Sequence, residues 1–423
     1  MAVTDLTVVS LFAGAGGLDI GLEQAGFHTV SAVDLDVDCI ASLGVNQRAG
    51  IPCGDGREYL AETALLATPI EQLEAADLRP AGEGRGWTPD LMAGGPPCQP
   101  FSSSGKMLSV EDPRGKLFQH FVRLAEALEP KVILFENVRG LVTARGPRGE
   151  PGEVLNMVKD SFEQIGYATT FALLNAADYG APQRRVRCFM MATRCTAMPQ
   201  FPGATHAESP EVDLFGARLP WITLGVHLEC LSPPAENEIV RPTAALATRL
   251  AHVLPGSGLK SAGARETTRP GGHWGYRQGT FIADLDQPAR TITASASQDW
   301  IRLRDGSLRR LTLRECASLQ GFPREWQFVG PVASRFRQVG NAVPSVFGKV
   351  LGEALLVALQ GGRKFEPASL PLPREFATAV EYTRREQRRN GASRRNAKAR
   401  LQNGSADFRE VKGLGSADCV SAT

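Results

Sequence analysis

The sequence lacks the features that mark membrane, secreted and zinc-ribbon proteins. None of its eight cysteines forms a C-x-x-C pair, which argues against a zinc ribbon or a redox dithiol. No apolar run approaches the roughly 18 residues that a membrane span needs, and the N-terminus lacks the basic-then-apolar pattern of a secretion signal. The formal net charge is only +2, so the overall charge does not indicate a nucleic-acid partner. We therefore expect a cytoplasmic chain without a metal site or a membrane contact.

Length and composition indicate more than one folded unit. The chain has 423 residues, 43% hydrophobic and 22% charged, and it exceeds the size at which a single core stops growing. From about residue 194 the sequence is rich in Pro, Gly, Thr and Arg and shows no sustained hydrophobic periodicity. Near the end, residues 384–400 hold eight basic side chains and one acid. We predict a first domain formed by 1–193 and 336–361, a second, irregular domain over 194–335, and a basic tail over 362–423 that is mobile or a marginal helix.

A glycine-rich turn follows the first predicted strand. Residues 7–12 are β-branched and apolar, residues 13–17 read A-G-A-G-G, and a helical pattern follows. Such a turn brings a ligand close to backbone N–H groups at a helix N-terminus. Asp19 stands where the dinucleotide fingerprint G-x-G-x-x-G needs a glycine, which argues against a nicotinamide enzyme. Asp34 ends the second strand, twenty residues after Gly14, where an acid in doubly wound folds binds ribose hydroxyls.

A single cysteine, Cys98, follows an apolar strand and two prolines. Pro96 and Pro97 fix φ at successive positions, so the backbone leading into Cys98 has little freedom. A rigid cysteine at a strand end indicates chemistry. The alternative is that Cys98 is a small buried hydrophobe, the commoner role of a lone cysteine.

Charged residues lie next to two other strands. Glu136 follows the apolar run 131–135, at the edge of a parallel sheet where ligands bind; the alternative is that it caps the next loop. Alternation along the strand that begins in Q-R-R-V-R, residues 183–187, would put Arg185 and Arg187 on one face. Two guanidinium groups together suit carboxylate or phosphate recognition.

The second half of the chain contains two further local signals. Residues 271–277, which end at Arg277, mix small, aromatic and basic side chains, as in a base-reading loop or in a turn packed around a core tryptophan. Thr312 and Glu315 have the spacing of a capping box that opens a helix. From residue 241 to 310 there are eleven Lys and Arg against five acids, as on a phosphate-contacting surface or a solvated loop region.

Together these segments resemble the cytosine-5 DNA methyltransferases of prokaryotic restriction-modification type. The resemblance covers about 350 residues, in the family's order, and rests on these motifs: F-A-G-A-G-G at 12–17, G-P-P-C-Q-P-F-S at 95–102, D-P-R-G-x-L-F at 112–118, E-N-V at 136–138, Q-R-R-V-R at 183–187, R-R-L-T-x-R-E with L-Q-G-F-P from 309 to 323, and G-N-A-V-P at 340–344. It implies an α/β fold: a doubly wound, Rossmann-like methyltransferase domain and a second, smaller, irregular target-recognition domain.

The resemblance also implies a mechanism. Cys98 is the nucleophile, adding to carbon 6 of cytosine so that carbon 5 becomes reactive. Glu136 holds or protonates ring nitrogen N3, and Arg185 holds the carbonyl oxygen of the base.

The implied methyl donor is S-adenosylmethionine. Matching positions give these cofactor residues: Phe12, Gly14, Gly16, Gly17, Asp34, Asp55, Pro97, Leu117 and Asn341. Where the family commonly has Glu then Trp, this chain has Asp34 then Leu35. We therefore expect weaker adenine binding unless another side chain compensates.

The implied substrate is double-stranded DNA with the target base flipped out. Residues 99–106 would close over the DNA, and these residues are the predicted DNA contacts: Gln99, Ser102, Ser104, Arg114, Arg187 and Arg277. A monomer on the nucleoid and a cognate restriction endonuclease as functional partner are expected. The alternatives are a transfer-RNA cytosine-5 methyltransferase of the same fold and a non-catalytic DNA-binding relative. The P-F-S ending of the cysteine motif and the long recognition segment favour DNA.

Overall fold

A computed structural model describes most of the chain. The described residues are 6–54, 56–97, 117–194, 197–209, 212–213, 216–260, 279–361 and 368–385. Seven of the predicted site residues lie outside them: Asp55, Cys98, Gln99, Ser102, Ser104, Arg114 and Arg277.

A seven-stranded sheet forms the centre of the first domain. Its strands are β1 Leu6–Leu11, β2 Phe27–Val33, β3 Ala64–Leu66, β4 Leu91–Gly94, β5 Val132–Val138, β6 Ala168–Asn175 and β7 Val186–Thr193. They lie in the order β3-β2-β1-β4-β5-β7-β6, and every neighbouring pair is parallel except that β7 runs antiparallel to β5 and β6. The carboxyl ends of β1, β2, β4 and β5 therefore share one edge with the start of β7.

Helices cover both faces of this sheet. Up to residue 361, the helices of the described chain are α1 Gly17–Gln24, α2 Val37–Ala49, α3 Leu117–Leu128, α4 Glu153–Gln164, α5 Leu224–Glu229, α6 Ala244–Ala251, α7 Leu313–Leu319, α8 Val332–Asn341 and α9 Ser345–Gln360. Of these, α1, α3, α4 and α9 pack on the sheet. One core packs α3 and α4 on the sheet through Phe121 and Phe162. Another packs α1 and α9 through Leu22 and Leu351. The predicted doubly wound α/β fold is confirmed.

Helices α1 and α9 pack backbone against backbone. A Cβ added at Gly21 would overlap the carbonyl oxygen of Ser345, and one added at Gly348 would overlap that of Leu18. Only glycine fits at these two positions, since any side chain would push the helices apart. The sheet and α1 are therefore covered by α9, a helix that lies more than 300 residues later in the sequence than α1.

The segment Val332–Gln360 is long and apolar enough, by length and composition alone, to cross a membrane. It contains α8 and α9, and residues 342–344 between them are not helical. Phe347, Leu351 and Leu355 of α9 are fully buried in the core with α1. These contacts are those of a core helix, which passes the same compositional test.

Short elements make up the second part of the chain. The strands are β8 His206–Ala207, β9 Val212–Asp213, β10 Gly216–Ala217, β11 Leu219–Pro220, β12 Ser257–Gly258, β13 Phe281–Ala283, β14 Trp300–Arg302 and β15 Leu308–Arg310. The last four form one sheet in sequence order. The predicted capping box is confirmed at α7: the Thr312 amide donates to the Glu315 carboxylate at 2.8 Å, and the Glu315 amide donates to the Thr312 hydroxyl at 3.3 Å.

Part of the predicted tail packs on the first domain. Phe376 is only 2% exposed and belongs to the same core as α3 and α4. The Leu370 amide donates to the Thr169 carbonyl of the edge strand β6 at 2.9 Å, and a helix follows over 374–385. Residues 368–385 thus pack on the core where a mobile segment or a marginal helix was expected, because Phe376 and Ala379 of the helix and Leu372 just before it contact that core.

Candidate active site

The turn after β1 is built from left-handed backbone. Phe12 and Gly14 both have φ of 56°, and Gly16, the N-cap of α1, has φ of 86°. Glycine adopts this conformation freely, whereas for Phe12 it costs about 1–2 kcal/mol. The Ala13 amide donates to the Val33 carbonyl at 2.9 Å, which ties the turn to the end of β2. Phe12, Gly14 and Gly16 therefore lie together at the sheet edge, as the sequence predicted.

Asp34 completes this side of the site. Its carboxylate accepts from the Gly14 amide and from the Asp36 amide, each at 2.8 Å. Burial raises the pKa of Asp34, and the two amide hydrogen bonds oppose that shift. Because each oxygen accepts one of these bonds, both keep acceptor capacity for hydroxyl groups. Leu35 beside it is 68% exposed and Val37 is 65% exposed, so apolar surface flanks the carboxylate.

The other side of the site lies where β4 and β5 end. A Cβ added at Gly95 would lie only 2.5 Å from Oε2 of Glu136, so the loop passes directly over that carboxylate because residue 95 has no side chain. The Asn137 side-chain amide donates to the Pro96 carbonyl at 3.1 Å. Glu136 and Asn137 of the E-N-V motif therefore hold the backbone that leads, through Pro97, to Cys98.

Glu136 is a buried carboxylate paired with Arg187. Nε of Arg187 lies 3.0 Å from Oε1 of Glu136, and Glu136 is 8% exposed. Burial raises the pKa of Glu136 above its ordinary value, although Arg187 and Arg185 act in the opposite direction. A carboxyl group with a raised pKa holds a proton more readily, which suits a proton donor.

Arg185 has different partners from those expected. It is 1% exposed, and its terminal nitrogens donate to the carbonyls of Ile292 at 3.0 Å and Gly340 at 3.0 Å. A longer bond of 3.4 Å reaches the Asn341 carbonyl. Arg187, which the sequence analysis placed on DNA, is the arginine in contact with Glu136. β7 begins at Val186, so Arg185 lies just before the strand and Arg187 lies within it.

Two buried glutamines join the same region, and sequence analysis did not single them out. The Gln183 side-chain amide donates to Oε1 of Gln320 at 2.9 Å, and its oxygen accepts from the Ile292 amide at 2.9 Å. Gln320 donates to the Val339 carbonyl at 2.6 Å. Both glutamines lie inside quoted motifs, Q-R-R-V-R and L-Q-G-F-P, which was the available signal. Together with the bond from Arg185 to Gly340, these contacts bring the motifs Q-R-R-V-R, L-Q-G-F-P and G-N-A-V-P into one polar network.

The remaining predicted cofactor residues lie near the turn or on α3. A Cβ added at Gly17 would overlap the carbonyl of Val343, so the start of α1 touches the chain just after Asn341. Asn341 ends α8 and is exposed. Pro97 is also exposed, whereas Leu117 begins α3 and packs on the core.

The described residues contain a cavity away from this site and no metal cluster. Among them, no group of three or more His, Cys, Asp or Glu side chains is arranged to hold a metal ion. A cavity of about 1120 Å³ opens in the second part of the chain, between α5 and the turn from β14 to β15. None of the predicted site residues lines it, so it is separate from the arrangement described above.

Comparison with known proteins identifies relatives along most of the chain. The family described as C-5 cytosine-specific DNA methylase matches residues 6–219 and 245–356. The Type II methyltransferase M.SacI of Streptomyces achromogenes is 30% identical over 389 residues, covering 84% of this chain and 94% of the relative. M.AquIA of Picosynechococcus, also a Type II methyltransferase, is 36% identical over 255 residues, covering 58% of this chain and 95% of the relative.

Solved structures agree in fold. A putative DNA modification methyltransferase from an Escherichia coli prophage superposes with a TM-score of 0.59 at 20% identity, covering 84% of this chain and 99% of that one. The Entamoeba histolytica methyltransferase EhMeth gives a TM-score of 0.60 at 15% identity, with coverage of 84% and 99%.

Proposed function

The chain belongs to the C-5 cytosine-specific DNA methylase family, and we propose that this DNA cytosine-5 methyltransferase acts on a flipped-out cytosine in one short duplex sequence through a covalent bond to Cys98. The observation that carries this proposal is the buried pair of Glu136 and Arg187 directly beneath Gly95 and Pro96. That loop leads to the cysteine, and the pair offers the polar groups that a cytosine ring needs.

The reaction requires a nucleophile because carbon 5 of cytosine is too weakly nucleophilic to attack a methyl donor. The Cys98 thiolate adds to carbon 6, and the ring becomes an enamine whose electron density lies at carbon 5. After methylation, loss of the proton at carbon 5 expels the thiolate and restores the ring. Water takes the proton from carbon 5, and N3 returns to Glu136 the proton that it received, so the thiolate and the acid are both regenerated.

Glu136 and Arg187 act on the polar edge of the base. With a raised pKa, Glu136 donates a proton to N3 as the thiolate adds, so that negative charge does not accumulate on the ring. Arg187, held by the same carboxylate, is the guanidinium placed to hold the carbonyl oxygen at C2. We therefore assign to Arg187 the role that the sequence analysis gave to Arg185.

Residues on the β1–β2 side fit S-adenosylmethionine. Asp34 would accept the ribose hydroxyls, the left-handed turn 12–17 would receive the methionine end, and exposed Leu35 would lie against the adenine. When bound, S-adenosylmethionine supplies the electrophilic methyl group that carbon 5 accepts. Leu35 offers an apolar surface in place of an aromatic ring, so we keep the expectation of weaker adenine binding.

Duplex DNA would lie across the sheet edge, between the first domain and the recognition segment 194–335. We propose that the protein acts as a monomer on cytoplasmic, nucleoid DNA and protects it from a cognate restriction endonuclease. This role follows from the family and from relatives named as Type II methyltransferases.

The test is to express the wild-type chain and Cys98→Ser in a bacterium without DNA methylation and to sequence its DNA after bisulfite conversion. Protection of one short motif by the wild type alone is expected, and it would define the recognition sequence. Equal protection by Cys98→Ser would contradict the cysteine mechanism. Soluble wild-type protein that protects no DNA would contradict DNA as the substrate, and transfer RNA would then be assayed.

A further inference from the structure

Residues 368–385, which we call the strap, cross the first domain from one end of its sheet toward the other. The Thr169 amide donates to the Ser369 hydroxyl at 3.0 Å, and the Leu370 amide donates to the Thr169 carbonyl at 2.9 Å. Thr169 is the second residue of β6, five positions before the residue that pairs with Arg187. The strap therefore enters at the end of the sheet that is remote from the catalytic pair.

The strap reaches the active-site edge within the next few residues. Arg139 is the first residue after β5, and the charge of Glu375 acts on its half-buried guanidinium: burial lowers the pKa of Arg139, and Glu375 opposes that shift. Glu375 is itself exposed, so this attraction alone adds little stability. It does place the start of the helix over 374–385 next to the chain that leaves Glu136.

Phe376 is the most deeply buried residue of the strap. It is 2% exposed and lies in the core that also contains Phe135 and Leu141. Phe135 directly precedes Glu136, and Leu141 lies in the short helix Arg139–Thr143 that follows β5. Because the carboxylate lies between two residues anchored in one core, its position depends on how well that core is filled. Phe376 adds to this filling from outside the family match, which ends at residue 356.

The last turns of the strap hold the chain beyond this short helix. A Cβ added at Gly152 would lie 3.0 Å from Cγ2 of Val380, and Arg384 lies 3.4 Å from Glu150. The Gly152 amide in turn donates to the Ala144 carbonyl at 3.0 Å. The segment that follows β5 is thus held at both ends, by the strand itself and by a turn that rests on the strap.

The contacts around Glu136 are close enough for small shifts to matter. Oε1 of Glu136 lies 3.0 Å from Nε of Arg187, and the Asn137 side chain donates to the Pro96 carbonyl at 3.1 Å. A displacement of about 1 Å in a catalytic site can lower a rate by about 10²-fold. The backbone of residues 135–144 is the route by which the strap would act on these distances.

We propose that the strap is a positioning element for methyl transfer and that Phe376 is its positioning residue: by filling the core behind residues 135–144, it fixes Glu136 and Asn137 at the distances that the reaction needs. This inference rests on the proposed function, because it concerns groups assigned to the cytosine ring. The strap sets the rate of the chemical step and leaves cofactor binding unchanged, since β2 and β6 lie near opposite edges of the sheet.

The experiment measures single-turnover methylation of unmethylated bacterial DNA at saturating DNA, with saturating S-adenosylmethionine that carries a labelled methyl group. The test variant is Phe376→Ala, and the conservative variant is Phe376→Leu. The matched control is Leu128→Ala, which opens a cavity in the same core at the end of α3. All are compared at a temperature where urea titration shows them folded.

Phe376→Ala should lower the rate by about 10- to 100-fold, with the Kd for S-adenosylmethionine within about twofold of the wild type. Phe376→Leu and Leu128→Ala should keep the rate within about threefold of the wild type.

The pH profile separates positioning from stability. Burial raises the pKa of Glu136 more than Arg187 and Arg185 lower it. A loosened core admits water, which brings that pKa back toward its ordinary value. In Phe376→Ala the loss of rate with rising pH should therefore begin at a lower pH than in the wild type. Leu128→Ala should keep the wild-type profile, because its cavity lies away from Glu136.

Two results with folded variants would overturn the proposal. A wild-type rate and pH profile for Phe376→Ala would show that the strap only stabilises the fold. An equal loss of rate in Leu128→Ala would assign the effect to core packing in general. A wild-type chain that methylates no DNA would contradict the proposed function itself, whereas failure of the inference alone leaves the wild-type rate intact.

A milder pair of variants decides the matter if Phe376→Ala does not fold. Val380→Ala removes the contact with Gly152, and Val357→Ala changes a residue of α9 that is 70% exposed. Val380→Ala should be slower than Val357→Ala by about threefold or more. Equal rates for these two variants would overturn the proposal as well.

Discussion

The two sides of the active-site edge are built in different ways. On the β1–β2 side the backbone supplies the geometry: left-handed residues form the turn, and the Asp34 carboxylate is held by the amides of Asp36 and Gly14. On the β4–β5–β7 side, side chains from distant segments meet, and Glu136 contacts Arg187 across two strands. The polar contacts of the first side, at the turn and the Asp34 carboxylate, are made within residues 12–36, whereas those of the second join residues from 95 to 340. Substitutions should therefore affect the two sides separately, and four predictions test this.

Glu136→Gln should have the largest effect and should be confined to the catalytic side. Loss of the proton donor should lower kcat by about 10²- to 10⁴-fold while cofactor binding stays unchanged. In the wild type, the protonated fraction of Glu136 falls as pH rises through its raised pKa. The matching loss of rate at high pH should disappear in the Gln variant, as single-turnover rates across pH would show. An equal loss of cofactor affinity would contradict the separation of the two sides.

Substitution of Arg187 should lower the reaction rate, whereas substitution of Arg185 should lower the stability of the fold. Arg187→Gln removes the contact with Glu136 and should lower kcat by roughly 10²-fold with the fold intact. Arg185→Gln leaves the carbonyls of Ile292 and Gly340 short of donors, so the free energy of unfolding should fall by about 3–5 kcal/mol. Urea unfolding and kcat measured on both variants distinguish the roles. If Arg187→Gln proved the less stable variant and kept its rate, our assignment of the two arginines would be incorrect.

Asp34→Asn should affect the cofactor side alone. An amide still accepts from Gly14 but holds ribose hydroxyls less strongly, so the Kd for S-adenosylmethionine should rise about 10- to 30-fold. The kcat at saturating cofactor should stay within threefold of the wild type. Asp36→Asn is the control, since Asp36 caps α2 and its change should leave the Kd alone. Calorimetric titration measures the Kd of each variant, and a methylation assay at saturating cofactor measures kcat. A large fall in kcat would contradict the prediction.

The smallest effect on activity should come from Glu23, a buried residue near the end of α1 whose carboxylate accepts from the Leu60 amide at 2.9 Å. Burial raises the pKa of Glu23 from 4.5 to about 7. Since the folded state binds this proton more tightly than the unfolded state, stability should fall as pH rises from about 4.5 to about 7. Glu23→Gln should remove that fall, which amounts to about 3 kcal/mol at most. Thermal unfolding at pH 5 and pH 8 measures it. An unchanged pH slope would show that Glu23 does not cause it.

The same contrast explains what the sequence could predict. The turn at 12–17, Asp34 and the capping box at Thr312 depend on neighbours in sequence, so their patterns identified them. Glu136 was identifiable because a strand end fixes its place. The motif alone could not show that Arg187 pairs with Glu136 or that Arg185 donates to a carbonyl more than 100 residues away. Gln183 and Gln320 escaped notice because a buried amide network leaves no periodic signature.

The tail shows a limit of reading composition. The last sixty residues include nine arginines and indicate a polar segment, but Leu372, Phe376 and Ala379 are spaced four and three apart and pack on the core, Phe376 and Ala379 from the helix and Leu372 from just before it. A search for apolar residues at this spacing within polar sequence would have found the docked helix.

Because α1 packs on α9, the support of the turn before α1 is complete only late in synthesis. Gly21 meets Ser345, which lies about 320 residues later in the chain. At roughly 5–20 residues per second, the ribosome needs about 16–60 s to make that intervening length. Until then the turn that would hold the methyl donor is supported by the sheet alone. Newly made enzyme should therefore be silent until translation is nearly finished, and chains that stop early should not modify the genome.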